Sequence, residues 1–298
     1  MSEKHPSWEF GEGAEIVPGR HAFKRLGGGE RYEAYLAWDD HLAALVVVKI
    51  LRPNSVEDES SLRSLRREAR ILQRLGHPVV LRCFDAVVEG PRPHLLLEHL
   101  EGRTLSVLLR KGPIQIEQLL PLALNISSAL HYLAAEGVVH LDVKPSNIVM
   151  GIPPRLIDFS IARSVERAQR ITSQIGTDAY MAPEQCDPGN RGEIGPPADV
   201  WGLGVTLARS ILGHSPWPNV SDEDEESDDL TTRFPQLELT PTPFHKSVPA
   251  LLQTVIAACL ERDPSDRPTA SEVALAIEPL VSVMPKRPVL GRLRPKLR

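Results

Sequence analysis

The first hundred residues alternate short apolar runs with glycine and polar turns, a pattern that predicts strands. "LGGGERYEAYLAWD" (26–39) reads as a strand, a glycine turn and a return strand. "ALVVVKIL" (44–51) is apolar and β-branched, as a buried strand should be, and "HLLLEHL" (94–100) is another. One stretch breaks the alternation. Leu62, Leu65, Ala69, Leu72 and Leu75 recur at spacings of three and four, which predicts a helix that Gly76 and Pro78 stop. From about residue 104 the spacing turns helical. "LALNISSALHYLAAEG" (122–137) has that period and a closing glycine, and Pro121 just upstream predicts a late start or a kink. "ADVWGLGVTLARSILG" (198–213) is apolar nearly all round, and two amphipathic helices follow in 248–264 and 269–281. The expectation is an α+β chain in two lobes. A mainly-β lobe with one helix (15–99) would precede a mainly-α lobe (100–281), with an N-terminal extension (1–14) and a C-terminal tail (282–298).

Charge adds two local features to this plan. The net charge of −5 argues against wholesale nucleic-acid binding, but "SDEDEESDD" (221–229) holds seven acids, and the last thirteen residues hold six bases. The acidic run reads first as a solvated loop. It could also attract basic substrates or hold the basic tail through its field. Three widely spaced cysteines, Cys83, Cys186 and Cys259, form no disulfide or zinc framework. The N-terminus lacks the apolar core of a secretory signal, and the apolar run 42–51 is short and broken by Lys49. The expectation is a cytoplasmic protein with no membrane and no nucleic-acid partner.

Candidate chemistry begins with Lys49, an ammonium inside an apolar strand, where it either snorkels to water or needs an anion. Glu68 borders the buried stripe of the predicted helix and is the candidate partner. The turn at Gly27, Gly28 and Gly29 could lay backbone N–H groups on phosphates, although alone it reads as a tight hairpin. "VVHLDVKPSNIVM" (138–150) joins apolar ends to Asp142, Lys144 and Asn147, and Asp158 follows eleven residues after Asn147. Two carboxylates and an amide on neighbouring loops are hard oxygen donors of the kind Mg²⁺ takes. Each acid alone reads as a turn or cap residue; the joint pattern does not.

The ordered set "VVVK", Glu68, "HLDVKPSN", "DFS", "GTDAYMAPE" and "ADVWGLG" resembles a eukaryotic-type serine/threonine protein kinase, most like the compact bacterial members, over about residues 20–280. The resemblance implies the bilobal kinase fold and transfer of the γ-phosphoryl group of ATP to protein hydroxyls, with Mg²⁺ or Mn²⁺ as cofactor. By similarity, Lys49 would hold the α and β phosphates and pair with Glu68. Asp142 would orient the substrate hydroxyl and accept its proton, Lys144 would neutralise the moving phosphoryl group, and Asn147 and Asp158 would hold the metal. Lys144 with Thr177 is the combination of serine/threonine specificity. The adenine would stack between Ala34, Val47 and Val149 and bond the backbone near Glu98 and Leu100, with Leu97 as gatekeeper. Glu184 would pair with Arg267, Asp199 would hold the catalytic-loop backbone, and Leu72, His140 and Phe159 would form an apolar stack between the lobes.

The chain departs from the family pattern in four ways. Leu141 stands where arginine often docks a phosphorylated activation-loop residue, so phosphorylation of Thr172 or Ser173 is not expected to be the main switch. Tyr32 stands at the third glycine, where it would fold over the phosphates or clash with a closed loop. Ser160 of "DFS" replaces glycine and restricts φ. Ala34 and Val47 exchange a large and a small residue around the adenine at roughly constant volume. The alternative to an active kinase is a pseudokinase, a nucleotide-binding scaffold with little turnover.

Overall fold

The computed structural model describes residues 6–221, 224 and 226–282. The N-terminal lobe is a six-stranded antiparallel sheet of β1 (Glu15–Val17), β2 (Arg20–Gly28), β3 (Tyr32–Asp39), β4 (Ala44–Leu51), β5 (Cys83–Val87) and β6 (His94–Glu98). Its order is β1-β2-β3-β4-β6-β5. Period-two alternation sorts the side chains between two faces. Tyr35, Val46, Val48, Ile50 and Leu96 form an outer cluster, on which Trp8 and Phe10 of the N-terminal segment pack. Val47, Leu51, Leu95 and Leu97 belong to the large core shared with the helical lobe. The predicted helix is α1 (Glu59–Arg74), capped by Asp58, which accepts from the Ser60 and Ser61 amides. Leu65, Glu68, Ala69 and Leu72 form its buried stripe. Each leucine so buried contributes roughly 1.5–3 kcal/mol.

The helical lobe begins with α2 (Leu105–Leu109) and α3 (Ile116–Ala135). Here the structure corrects one of the two expectations, the late start: α3 begins five residues before Pro121 and carries the proline inside it. The ring forfeits one backbone hydrogen bond, and burial of Leu119 and Leu120, the two residues just before the proline, offsets that loss. Short strands β7 (Val138–Val139), β8 (Ile148–Val149), β9 (Arg155–Leu156) and β10 (Arg163–Ser164) pair as β7 with β10 and β8 with β9. The helices α4 (Val165–Ala168) and α5 (Pro183–Cys186) lead to α6 (Pro196–Leu212), which is buried on almost every side. It ends at Gly213 in the left-handed region, φ 79°. Helices Ala250–Cys259 and Ala270–Ser282 pack against α6 and α3.

The acidic run is exposed at Glu226, Asp228 and Asp229, as a solvated loop should be. Its end is nevertheless anchored. Asp229 caps a short helix, Leu230–Arg233, whose Arg233 pairs with Asp178 at 2.8 Å. The basic tail lies outside the described residues from 283 onward. Among the described residues, no helix is long and apolar enough to cross a membrane. The three cysteines are free thiols.

Candidate active site

Antiparallel register puts Lys49 opposite Ala34 on one side and Leu95 on the other, on the sheet face that meets α1. Its ammonium donates to both Glu68 carboxylate oxygens at 2.8 and 2.9 Å and to Asp158 Oδ1 at 3.1 Å. Lys49 therefore does not snorkel; Glu68, on the buried stripe of α1, is its partner. Burial by itself would lower the Lys49 pKa, but the Glu68 and Asp158 carboxylates outweigh it and hold the ammonium above its ordinary value. The Lys49 charge beside Asp158 holds that carboxyl below the usual carboxylate range. Burial pushes Glu68 upward against the pull of Lys49. Asp158 itself sits at φ 64°, a conformation few non-glycine residues adopt, immediately before Phe159.

The second group stands on the loop after β7. Asp142 has both carboxylate oxygens engaged: Oδ1 accepts from the Thr177 hydroxyl at 2.8 Å, and Oδ2 from Asn147 Nδ2 at 2.9 Å. Lys144 lies 2.8 Å from the same Oδ2 and also donates to Thr177. Asn147 Nδ2 bonds the Asp142 carbonyl too, at 2.9 Å, so its side-chain oxygen is turned the other way. The Asn147 carbonyl accepts from the Ile157 amide at 2.9 Å, so the β8–β9 pair brings Asn147 and Asp158 to the same end of one ladder.

Beneath this loop, Asp199 of α6 accepts from the His140 and Leu141 amides, both at 2.7 Å. Burial pushes the Asp199 carboxyl up to about 6. His140 Nδ1 accepts the Asp142 amide and Nε2 faces the Ile157 carbonyl, and its ring meets Phe159 edge-on at 4.7 Å. Both ring nitrogens are thereby committed, as in a structural histidine. Phe159 and Leu72 are buried in the same core. Leu141 is 3 % exposed with φ 69°, an apolar peg in a strained position. Arg267 and Glu184 form a buried bidentate pair at 2.7 and 2.8 Å.

Several supports carried no sequence signal. Gln185 is buried; its amide donates to the Leu141 and Ile175 carbonyls at 3.0 and 2.8 Å. Arg67 of α1 donates to the Ser160 carbonyl at 2.9 Å, joined by the Ser64 hydroxyl at 3.3 Å. Both residues read in the sequence as ordinary surface polar positions. Tyr32 is neither laid over the glycine turn nor swung outward: its ring lies 4.9 Å from Lys49 Nζ.

Most of the positions expected to face the adenine stand in strand pairs. Val47 stands opposite Leu97 and Leu36, while Ala34 stands opposite Lys49. Val149 is buried and Leu100 half-buried across the lobe junction. The Glu98 side chain is used as a tether, accepting the Arg82 amide at 2.6 Å and pairing with Arg155. Gly27 and Gly28 close β2 and Gly29 begins the turn. A Cβ at Gly28 would lie 2.4 Å from the Tyr32 carbonyl oxygen, so that close approach requires glycine.

The donor set fits a divalent cation that brings its own remaining ligands. Among the described residues, no group of three or more His, Cys, Asp or Glu side chains is placed to hold a metal alone. One amide oxygen and one ionised carboxylate at the cleft are what a metal shared with phosphate oxygens and water needs.

Comparison with known proteins agrees with the geometry. Residues 20–276 match the protein kinase domain family. The serine/threonine-protein kinase PknB of Mycobacterium leprae is 29 % identical over 263 residues, which cover 83 % of this chain and 40 % of that protein. Serine/threonine-protein kinase pkn2 of Myxococcus xanthus is 30 % identical, covering 88 % and 32 %. Serine/threonine-protein kinase PkaA of Streptomyces coelicolor is 32 % identical, covering 77 % and 42 %. The chain thus spans 32–42 % of the length of these relatives. With a two-lobed fold, a lobe junction of this composition and a match over most of its length, the chain belongs to the protein kinase family.

Proposed function

We propose that this chain is an active serine/threonine protein kinase that transfers the γ-phosphoryl group of ATP to hydroxyls of protein substrates. The observation that carries the reading is the simultaneous contact of Lys49 with Glu68 and Asp158, beside an Asp142 whose oxygens are both oriented. Phosphoryl transfer asks a protein for alignment and charge compensation more than covalent help. Asp142 is a fixed carboxylate suited to orient a hydroxyl and accept its proton. Lys144 beside it carries the positive charge that offsets charge on the moving group. Lys49 presents an ammonium kept protonated by its two partners. Asn147 and Asp158 would hold Mg²⁺ or Mn²⁺, which when bound neutralises phosphate charge. The Lys144–Thr177 contact supports serine/threonine specificity.

The same reading holds that phosphorylation of Thr172 or Ser173 is not the main switch. Leu141 is apolar and buried, so it offers a loop phosphate no charge, and Thr172 and Ser173 are exposed. The test is transfer from radiolabelled ATP to a generic basic protein, with phosphoamino-acid analysis. Label on serine and threonine is expected, with Asp142→Asn lowering kcat by at least about a hundredfold. Incorporation no higher than that of the Asp142→Asn control would establish the pseudokinase instead. A Thr172→Ala, Ser173→Ala double variant should keep activity within about threefold of wild type, about 0.7 kcal/mol.

A further inference from the structure

Tyr32 replaces the third glycine of the turn, yet the structure gives its ring a defined place. Register puts Tyr32 opposite Leu51, on the inner face of the sheet, and Glu33 opposite Ile50, on the outer face. Glu33 is fully buried and pinned from three directions: Arg52 at 3.0 Å, the Trp8 amide at 3.1 Å and the Tyr35 hydroxyl at 3.0 Å. With Glu33 held outward, alternation leaves Tyr32 one direction, toward α1. Its ring lies 4.9 Å from Lys49 Nζ, its hydroxyl reaches to 3.5 Å from the Ser61 carbonyl of α1, and it packs against the large core.

We propose that Tyr32 is a positioning residue for phosphoryl transfer: it bridges the glycine turn to α1, covers the Lys49–Glu68 ion pair with its ring, and holds that pair closed. The inference rests on the kinase reading above for its effect on turnover. An aromatic face attracts the ammonium and excludes water from it. A pair so screened attracts more strongly than one in water. A glycine at this position has neither ring nor contact to α1. Leu141 removes the means by which a loop phosphate would order this region, and Tyr32 supplies an internal lock in its place.

Tyr32→Gly and Tyr32→Phe, beside wild type and Asp142→Asn, give the test. Phosphotransfer kinetics are measured together with hydrogen exchange at the α1 amides from 62 to 72. Tyr32→Gly should lower kcat about tenfold, equivalent to about 1.4 kcal/mol, with KM for ATP changing less. Exchange in α1 should rise about tenfold in the same variant, if the helix opens more often. Tyr32→Phe keeps the ring and should restore both to within about threefold of wild type. Unchanged α1 exchange in Tyr32→Gly, or a raised kcat from a ring that obstructs the nucleotide, would overturn the proposal. If wild type transfers no more phosphate than Asp142→Asn, the kinase reading fails while α1 exchange still decides whether Tyr32 holds the helix.

Discussion

At the residue scale the site is a set of charges whose protonation is fixed by neighbours. Asp199 is the informative case. Burial raises its folded-state pKa from 3.8 to about 6, so its contribution to stability is fully present below about pH 4 and lost as pH rises through about 6. The ionised form, however, is the one that accepts both the His140 and Leu141 amides. The chain therefore gives up some stability at neutral pH to hold the catalytic loop. The expected outcome is a kcat profile that falls on acidification with a midpoint near pH 6; a profile flat to about pH 5 would contradict this role. The contact of Lys49 with Glu68 was legible from a lysine inside an apolar strand, whereas Asp142, Asn147 and Asp158 stood out only as a joint pattern, each acid alone reading as a turn or cap residue. Gln185 and Arg67 were not legible, because glutamine and arginine are so often surface residues that nothing marks the one turned inward. The inward turn of Tyr32 follows from strand register, which the spacing of the glycine turn alone does not reveal.

At the scale of elements, α6 is pressed against the catalytic loop through a glycine. A Cβ at Gly202 would lie 2.8 Å from the Val143 carbonyl oxygen and 3.0 Å from its Cβ. The neighbour is backbone, so the contact cannot relax cheaply. Gly202→Ala should destabilise the fold by about 1–3 kcal/mol, read as a lower denaturant midpoint at constant slope, and should lower kcat through the displaced loop. Equal stability in Gly202→Ala would show that the helix has room to move. The element plan itself was largely legible: short apolar runs between glycine and polar turns marked the strands, and the leucine spacing marked α1. The start of α3 was not, because a proline rule is local, while the burial of Leu119 and Leu120 that overrides it is tertiary.

Across the whole molecule, the helical lobe is stapled by the Glu184–Arg267 pair, whose side chains are both 0 % exposed. Arg267 also bonds the Pro197, Glu261 and Arg262 carbonyls and lies 5.0 Å from the Trp201 ring. Removing one partner leaves a buried charge, so Glu184→Ala should cost roughly 3–5 kcal/mol. Chemical denaturation would measure this, and a loss under about 1 kcal/mol would place the pair among weak surface-type bridges. The two lobes meet where Lys49 of the sheet touches Asp158 of the helical lobe, and kinase activity requires that meeting point to bind a metal–nucleotide complex. Calorimetric titration with ATP, with Mg²⁺ and with a chelator, tests it most directly. Wild type should bind ATP at least about tenfold more tightly with the metal, and Asp158→Asn should lose that difference, about 1.4 kcal/mol. Equal affinity with and without Mg²⁺, or a difference that survives in Asp158→Asn, would contradict the account.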